Sequence, residues 1–269
     1  MIKLAALQMI SGPDIGPNLI TAARLIEQAV AAGGQLLVLP EYFPLIGADD
    51  AARLAARETF GHGPIQDFLA AAARRHRIWL VGGSLPLLCD DPTKMRNACL
   101  VFDPQGECVA RYDKIHLFGF RKDAEVYDEA ATIEAGAPVV TCATPWGKMG
   151  LSICYDLRFP ELYRAMGEVA LIVVPAAFTE TTGRAHWEIL LRARAIENQC
   201  YVVAAAQGGR HPSGRLTHGN SMIVDPWGAV LARLDKGEGV ITADLDPRHL
   251  QDIRGRLPAL RHRIIQKIS

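Results

Sequence analysis

The sequence lacks both an excess of charge and a long apolar run. Its 29 lysines and arginines are balanced by 29 aspartates and glutamates, so overall electrostatics do not favour binding to nucleic acid or to an anionic membrane. No apolar run reaches the roughly 20 residues that cross a bilayer. Gly12, Pro13 and Gly16 break the apolar N-terminal stretch before the core of a signal peptide is complete. We therefore expect neither nucleic acid nor membrane as a partner.

Cysteine is scarce and scattered, with six copies at positions 89, 99, 108, 142, 154 and 200. A chain of 269 residues can bury a core without covalent cross-links, so we expect free thiols in a reducing cytoplasm. Neither the cysteines nor the histidines show HExxH or paired CxxC spacing. The sequence therefore predicts no metal site, and we expect no cofactor.

Apolar residues are plentiful. They make up 49% of the chain against 22% charged residues, which favours a single globular domain over residues 1–269. Residues 36–40 (LLVLP) and 171–175 (LIVVP) are continuous apolar runs of the kind found in strands buried on both faces. Each run follows a helix pattern and ends in proline, which suggests two halves built alike. We predict an α/β fold in which two sheets pack face to face with helices outside, a four-layer α-β-β-α sandwich.

Apolar spacing with a helical period predicts helices over 17–32, 63–76, 159–167, 185–199 and 247–257. The strand candidates between them include 78–86 as one strand. Two hairpins are expected, around the turns at 104–106 and 145–147.

Three reactive side chains are expected at the ends of separate strands. Glu41 directly follows LLVLP, at the carboxyl end of a buried strand, where α/β proteins commonly place their sites. Lys114 ends the strand VARYDKIH and is followed by apolar residues suited to pocket walls. Cys154 ends GLSIC, before a sharp turn into a helix that would expose its thiol as a nucleophile elbow does. Each also has an ordinary interpretation, as a loop acid, a surface lysine or a buried thiol.

The surroundings of Cys154 also lead to an expectation about its acidity. A helix N-terminus and Lys114 nearby should favour the thiolate, which means a lowered pKa. The other five cysteines are interpreted as small buried apolar residues. A cysteine hydrolase usually takes its base from histidine, and His116 and His186 are the best alternatives to Glu41 in that role.

These segments resemble the motifs of a known family. LPEYF around Glu41, YDKIHLFGF around Lys114 and GLSICYDLRFPELYR around Cys154 resemble the three signature motifs of the nitrilase superfamily, the carbon–nitrogen hydrolases. The resemblance covers nearly the whole chain. It implies acyl transfer to the Cys154 thiol, with Glu41 as general base. Lys114 and a backbone N–H, that of Tyr155, would stabilise the tetrahedral oxyanion.

The same resemblance implies a second pocket glutamate between the lysine and cysteine motifs. In VYDEAATIEAGAP, Glu129 fits that position best, Glu134 competes with it, and Glu125 fits less well. The resemblance also implies a homodimer or larger homo-oligomer, joined beside the helix that follows the cysteine motif. The side chains that would make this contact, or would instead belong to the core, are Phe159, Leu162 and Tyr163.

Residues 185–228 resemble the branch of the superfamily that contains deaminated-glutathione amidase and ω-amidase, and lean towards the former. The expected substrate is a small amide that bears a carboxylate, with deaminated glutathione giving 2-oxoglutarate and cysteinylglycine. The alternatives are 2-oxoglutaramate, 2-oxosuccinamate or another small aliphatic amide. The form CYDLRFPE is amidase-like and disfavours a true nitrilase. A scaffold that has lost activity, and a redox sensor acting through Cys154, are the competing classes.

An arginine should clamp the substrate carboxylate. The candidates are Arg158, Arg184 and Arg210, in no firm order, and each could instead be a solvated surface residue. Arg184 stands where family members commonly have proline, in a segment that borders the family's pocket. This departure bears on which substrate the chain accepts. The other side chains expected to contact substrate are Tyr155, Phe178, Thr179 and His186.

Overall fold

A computed structural model of the chain describes residues 1–47, 50–122 and 125–265. The helices in these ranges are α1 (Ile15–Ala31), α2 (Ala51–Ala55), α3 (Pro64–His76), α4 (Pro160–Ala165), α5 (Glu180–Asn198) and α6 (Pro247–Arg256). The strands are β1 (Ile2–Gln8), β2 (Leu36–Val38), β3 (Trp79–Val81), β4 (Leu85–Leu87), β5 (Arg96–Phe102), β6 (Cys108–Asp113), β7 (Gly119–Lys122), β8 (Glu125–Asp128), β9 (Thr141–Thr144), β10 (Gly147–Leu151), β11 (Leu171–Ala176), β12 (Tyr201–Ala206), β13 (Ser221–Val224), β14 (Val230–Leu234) and β15 (Gly239–Leu245).

Two large sheets contain most of these strands. The first has the order β15-β1-β2-β3-β5-β4, with β6 paired to β5, and the second has the order β14-β13-β12-β11-β10-β9. In each sheet the central strand, β2 or β11, runs parallel to both of its neighbours. Both central strands are buried along their whole length. The prediction of two halves, each built on a buried apolar strand, is confirmed.

Alternation along β1 shows how the layers are arranged. Leu4 and Ala6 belong to the apolar cluster shared by the two sheets, whereas Ala5 and Leu7 belong to the cluster that α1 and α3 form on the outer face of the first sheet. Successive side chains of a strand point to opposite faces, so one face of β1 meets the second sheet and the other meets helices. Helix α5 covers the second sheet, with Trp187 in the shared cluster. The predicted four-layer α-β-β-α sandwich is confirmed.

Two elements differ from the expected boundaries for identifiable local reasons. Helix α5 begins at Glu180 rather than at 185, because the Thr179 side chain accepts a hydrogen bond from the Thr182 N–H and caps the helix earlier. Residues 78–86 form two strands rather than one. Gly83 lies between them with φ +58°, and a Cβ at Gly83 would lie only 2.2 Å from the Pro40 carbonyl oxygen. The chain must therefore turn there, close to the loop that carries Glu41.

All six cysteines are free, as expected. Cys99, Cys142 and Cys200 are buried, but Cys108 is exposed and Cys89 is partly exposed, so the interpretation of all five as buried residues was wrong for these two. Cys108 lies on β6, which pairs only with β5 at the margin of its sheet. Leu162 and Tyr163 belong to the shared apolar cluster, which leaves Phe159 as the partly exposed member of the proposed contact set.

In the part of the chain that the structure describes, no helix is both long and apolar enough to cross a membrane.

Candidate active site

A narrow pocket of about 280 Å³, its open mouth included, lies at the carboxyl ends of the central strands of both sheets. We call it the inner pocket. The residues that line it are Glu41, Phe118, Glu129, Cys154, Tyr155, Arg158, Ala177, Phe178, Thr179, Thr182 and Arg215. Glu41 follows β2, and Cys154 follows β10. Lys114, which follows β6, lies behind this wall with its side chain fully buried.

The Glu41 carboxylate is held by donors from three separate segments. Its Oε1 accepts from Lys114 Nζ at 2.9 Å and from Asn97 Nδ2 at 3.0 Å, and its Oε2 accepts from the Ala177 N–H at 2.9 Å. The next residue, Tyr42, has φ +54°, a conformation that disfavours side-chain-bearing residues. Such a conformation persists when surrounding contacts enforce it, and here the Tyr42 N–H donates to Ser84 Oγ at 3.0 Å.

The Lys114 ammonium lies between two carboxylates. It is 2.9 Å from Glu41 Oε1, and 3.0 and 2.8 Å from the two oxygens of Glu129. Burial disfavours the charged ammonium, but Glu129 and Glu41 outweigh burial and hold the pKa of Lys114 well above its usual value. Burial likewise opposes the Glu129 charge, yet Lys114 lowers the pKa of that carboxyl. Both side chains are therefore charged across the physiological range.

Glu129 is fixed by further bonds. It accepts from Tyr42 Oη at 2.9 Å and from the Phe118 N–H at 2.8 Å. Glu134, the competing candidate, forms an ion pair with Arg96 instead. The Glu125 side chain lies outside what the structure describes. Of the compared glutamates, Glu129 is thus the one whose carboxylate contacts Lys114.

Cys154 opens a short 3-10 helix, Cys154–Arg158, and has φ +49°. A left-handed conformation costs a non-glycine residue about 1–2 kcal/mol, and this sharp turn brings the thiol to the pocket wall. Asp156 connects the turn to the lysine strand, because its buried carboxylate accepts from Tyr112 Oη at 2.7 Å and from the His116 N–H at 3.0 Å. These two residues flank Lys114, so one carboxylate links the segment that carries Cys154 to the segment that carries Lys114.

The expectation of a lowered pKa for Cys154 was wrong. Burial is the largest effect and raises the pKa of the thiol. The negative charge of Glu41 and the hydrogen bond from the thiol to that carboxylate raise it further, against the lowering effect of Lys114. The helix that follows has only five residues, Cys154–Arg158. The resting thiol is therefore protonated, and it shares the inner pocket with the Glu41 carboxylate, as a thiol that needs an adjacent base does.

The two histidines considered as alternative bases lie elsewhere. His116 Nδ1 is 2.7 Å from Asp156, and the ring stacks on Phe159 at 3.7 Å between centroids. His186 is exposed, and its Nδ1 lies 3.1 Å from Arg158 Nη1. Neither residue lines the inner pocket.

Four of the expected substrate contacts line the inner pocket, namely Tyr155, Arg158, Phe178 and Thr179. The Arg158 guanidinium lies 5.3 Å from the ring centre of Phe178 and 5.6 Å from that of Tyr155. Its polar contact is the ring nitrogen of His186, and it pairs with no carboxylate among the residues that the structure describes. Arg158 therefore presents an uncompensated positive charge to the pocket.

The other two arginines considered as carboxylate clamps are placed away from the pocket. Arg184 lies on α5, pairs with Glu180 at 3.0 Å and has 79% of its side chain exposed. It points to solvent because its position falls on the outer side of the helix. Arg210 is also exposed, in the loop after β12, and does not line the inner pocket.

Several site residues were not anticipated from the sequence. Tyr42 and Asp156 stand inside the quoted motifs, directly beside residues that were recognised, so their proximity was the available signal. Asn97, Thr182 and Arg215 lie outside the three signature motifs; Arg215 falls within the stretch 185–228 that resembles the branch, but nothing in that stretch separates it from the neighbouring arginines. Among the described residues, no three His, Cys, Asp or Glu side chains group as a metal ion would require.

Comparison with known proteins agrees with this geometry. The sequence model of the carbon-nitrogen hydrolase family matches residues 3–255. Deaminated glutathione amidase from Synechocystis sp. (strain PCC 6803 / GT-S) is 41% identical over 97% of this chain and 97% of its own length. The Homo sapiens protein of that name is 40% identical over 97% of this chain and 81% of its own.

A solved structure extends the likeness to the fold. Nit3 of Saccharomyces cerevisiae, described as a member of branch 10 of the nitrilase superfamily, superposes with a TM-score of 0.88 at 32% identity, covering 98% of this chain and 97% of its own. The chain therefore belongs to the carbon–nitrogen hydrolase family, within the nitrilase superfamily, and is a hydrolase that acts on the carbon–nitrogen bonds of amides.

Proposed function

We propose that this hydrolase cleaves a carboxylate-bearing amide through a thioester on Cys154, with Glu41 as general base and Lys114 as the cation that stabilises the oxyanion. The observation that supports these roles best is the Glu41 carboxylate, which accepts a hydrogen bond from the Lys114 ammonium and lines the inner pocket together with Cys154. Because the thiol is protonated at rest, attack requires that Glu41 take its proton as Sγ approaches the amide carbon.

The remaining steps use the same groups. The oxyanion that forms would be stabilised by the Lys114 ammonium and the Tyr155 N–H, and preorganised donors of this kind are worth roughly 3–4 kcal/mol each. As the intermediate collapses, Glu41 gives its proton to the departing amine. Water then loses a proton to Glu41 and attacks the thioester, which releases the acid and restores the thiol. Glu129 holds Lys114 in position through both of its oxygens.

Deaminated glutathione is the substrate we favour, an amide of 2-oxoglutarate and cysteinylglycine. Its support comes from the similar proteins that bear the name deaminated glutathione amidase and from the uncompensated Arg158 beside the nucleophile. A guanidinium binds a carboxylate through two parallel hydrogen bonds, so Arg158 would hold the carboxylate of the acyl part. ω-Amidase activity on 2-oxoglutaramate is the second candidate, because that substrate shares the same acyl part.

We further propose that the chain is one domain over residues 1–269 and works without a cofactor as a homodimer or larger homo-oligomer in the cytoplasm. The extent of the family match supports the single domain. The six free thiols support a reducing compartment, where disulfides are rare. Light scattering on the purified protein would measure the assembly, and a monomer at micromolar concentration would contradict it.

Release of 2-oxoglutarate from deaminated glutathione and from 2-oxoglutaramate tests the function. We expect the wild-type protein to act on both, and faster on deaminated glutathione. Cys154→Ala should abolish release. Cys108→Ala is the matched control and should keep it, since Cys108 is exposed and does not line the inner pocket.

The alternative outcomes are also decisive. A preference for 2-oxoglutaramate, with ammonia as the second product, would transfer the assignment to ω-amidase. Failure of the wild-type protein on both compounds would remove the proposed substrate. Full activity in Cys154→Ala would contradict the thioester route itself.

A further inference from the structure

A second, wider cavity adjoins the inner pocket. It encloses about 1130 Å³ with its open side included, and we call it the outer cleft, defined by Tyr42, Arg53, Tyr127, Ser213 and Arg215. Phe118, Glu129 and Arg215 line both cavities. These three side chains form a common boundary between the two cavities, and Arg215 can be reached from either side of it.

The outer cleft contains buried polar atoms that have no hydrogen-bond partner among the described residues. They are Arg53 Nε, Ser213 Oγ and Arg215 Nε. Leaving such a group unpaired is unfavourable, and each one in a folded protein calls for an explanation. All three side chains line the outer cleft, and their unpaired polar atoms suggest a ligand that forms hydrogen bonds there.

The two arginines of the cleft differ in whether a carboxylate pairs with their positive charge. Arg53 is 94% buried, forms an ion pair with Asp50, and lies 4.3 Å from the ring centre of Tyr42. Arg215 donates to the Ala177 carbonyl oxygen at 3.3 Å and lies 5.5 Å from the ring centre of Tyr127. No carboxylate of the described residues forms an ion pair with Arg215, so its positive charge is available to a ligand.

The described carboxylates that line the cleft do not pair with Arg215, and Asp50 is paired with Arg53. Glu129 is bonded to Lys114 and Tyr42. Asp128 is exposed, where solvent and salt screen its charge. Within the described part of the chain, the cleft therefore has a guanidinium without an ion-pair partner at its boundary with the inner pocket.

From this arrangement we propose that Arg215, assisted by Ser213, binds the carboxylate at the far end of the leaving amine and so selects amides whose leaving group is a short peptide. This inference rests on the proposed function. Deaminated glutathione has two anionic ends, one on the acyl part and one on the terminal glycine. The inner pocket and its boundary present two uncompensated arginines, Arg158 and Arg215, which match those two ends.

The size of the inner pocket and the length of the leaving peptide agree with assigning the acyl carboxylate to Arg158 and the peptide carboxylate to Arg215. Arg158 lines only the inner pocket, which is small enough to suit the acyl part. Two extended residues span at most about 7 Å, so cysteinylglycine places its carboxylate well beyond the scissile nitrogen, in the direction of the outer cleft. A primary amide, which releases ammonia, has nothing to offer Arg215. Arg215 thus distinguishes peptide amides from primary amides without contacting the reacting atoms.

The test compares deaminated glutathione with its C-terminal carboxamide, which removes the leaving group's charge and keeps the rest of the molecule. We expect wild-type kcat/KM to favour the free carboxylate by about tenfold to a hundredfold, as charge-assisted hydrogen bonds usually do. In Arg215→Met the preference should fall to about threefold or less, and in Ser213→Ala it should fall partway. Arg210→Met is the matched control, an exposed arginine of the same loop, and should keep the wild-type preference.

Because the readout is a ratio between two substrates, a general loss of folding or of catalysis does not move it. Equal wild-type kcat/KM for the two compounds would overturn the inference and leave the proposed function intact. An unchanged preference in Arg215→Met would also overturn it. Hydrolysis of neither compound by the wild-type protein would overturn the proposed function and this inference together.

If Arg215→Met yields no folded protein, the same preference is measured in Arg215→Lys instead. Lysine keeps the charge but lacks the paired donors of a guanidinium, so the preference should fall to an intermediate value. A preference equal to that of the wild type would contradict the role of Arg215.

Discussion

The inner pocket and the outer cleft share a wall, yet they differ in how their polar groups are satisfied. In the inner pocket the Glu41 carboxylate has three donors, and the Lys114 ammonium has two carboxylates. In the outer cleft, Ser213 Oγ and Arg215 Nε have no partner among the described residues. Groups that stabilise a transition state work best when they are fixed before the reaction. In a binding subsite, hydrogen-bond donors can instead stay unpaired until the ligand binds and accepts from them.

The same contrast applies to charge. The inner pocket holds two carboxylates and a thiol beside the Lys114 ammonium, and burial together with the Glu41 charge raises the pKa of the thiol and keeps it protonated. The outer cleft instead borders on Arg215, which lines both cavities and, like Arg158 of the inner pocket, has no carboxylate partner among the described residues. The inner network should therefore govern the rate of chemistry, and the outer residues should govern which leaving groups are accepted. The predictions below separate these two roles, beginning with the largest effect.

Glu41→Gln should have the largest effect on catalysis. Glutamine keeps the shape, but its one amide oxygen can accept from Lys114 or from the Ala177 N–H and not from both, and it cannot take the thiol proton. General-base catalysis usually contributes about 10²–10⁴-fold, so kcat should fall by that factor. The assay is 2-oxoglutarate release, with circular dichroism to check the fold. Activity within tenfold of the wild type would exclude Glu41 as the base.

Glu129→Gln should lower kcat by about 10²-fold, the loss expected when a catalytic group moves by roughly an ångström. The substitution removes one of the two charges that hold the Lys114 ammonium. Glu134→Gln is the matched control, because Glu134 also pairs with a basic side chain, Arg96, but lies outside the inner pocket. Its kcat should stay within about twofold of the wild type. Near-normal activity in both variants would remove Glu129 from the mechanism.

Glu41→Gln should also shift the pKa of Cys154, by a smaller effect whose direction the structure defines. Burial and the Glu41 charge raise the pKa of the thiol, and Lys114 lowers it. Glu41→Gln removes a raising contribution and leaves Lys114 in place, so the pKa of Cys154 should fall and the thiolate should appear at lower pH than in the wild type. Thiolate absorbance near 240 nm would be followed in a pH titration, with Glu41→Gln/Cys154→Ala subtracted. An unchanged or raised titration midpoint would contradict the assigned cause.

The sequence was informative where burial leaves a local pattern. The continuous apolar runs predicted β2 and β11 as central strands, and the ends of β2 and β10 predicted where Glu41 and Cys154 would lie. Helix α2 and the β7–β8 hairpin were not predicted, because elements of four or five residues carry too few apolar positions to show a period.

The parts of the site that were missed depend on contacts between distant segments. Asn97 reaches Glu41 across 56 positions of the chain, and Arg215 reaches the backbone of Ala177 across 38. The acidity of Cys154 was predicted with the wrong sign for the same reason. Depth of burial and the position of Glu41 decide it, and neither quantity can be read from the spacing around the cysteine.

Replacing Arg184 should have the smallest effect on kcat/KM, and it tests whether helix α5 contributes this side chain to the substrate site. The sequence made it a candidate because it replaces a common proline in a segment that borders the family's pocket. In the folded chain its side chain is 79% exposed and pairs with Glu180 four residues earlier, a type of pair that contributes about 0.3–0.5 kcal/mol. Arg184→Ala should therefore keep kcat/KM for deaminated glutathione within about twofold of the wild type. A fall of tenfold or more would mean that α5 brings this side chain to the substrate, and the carboxylate clamp would then have to be reassigned from Arg158.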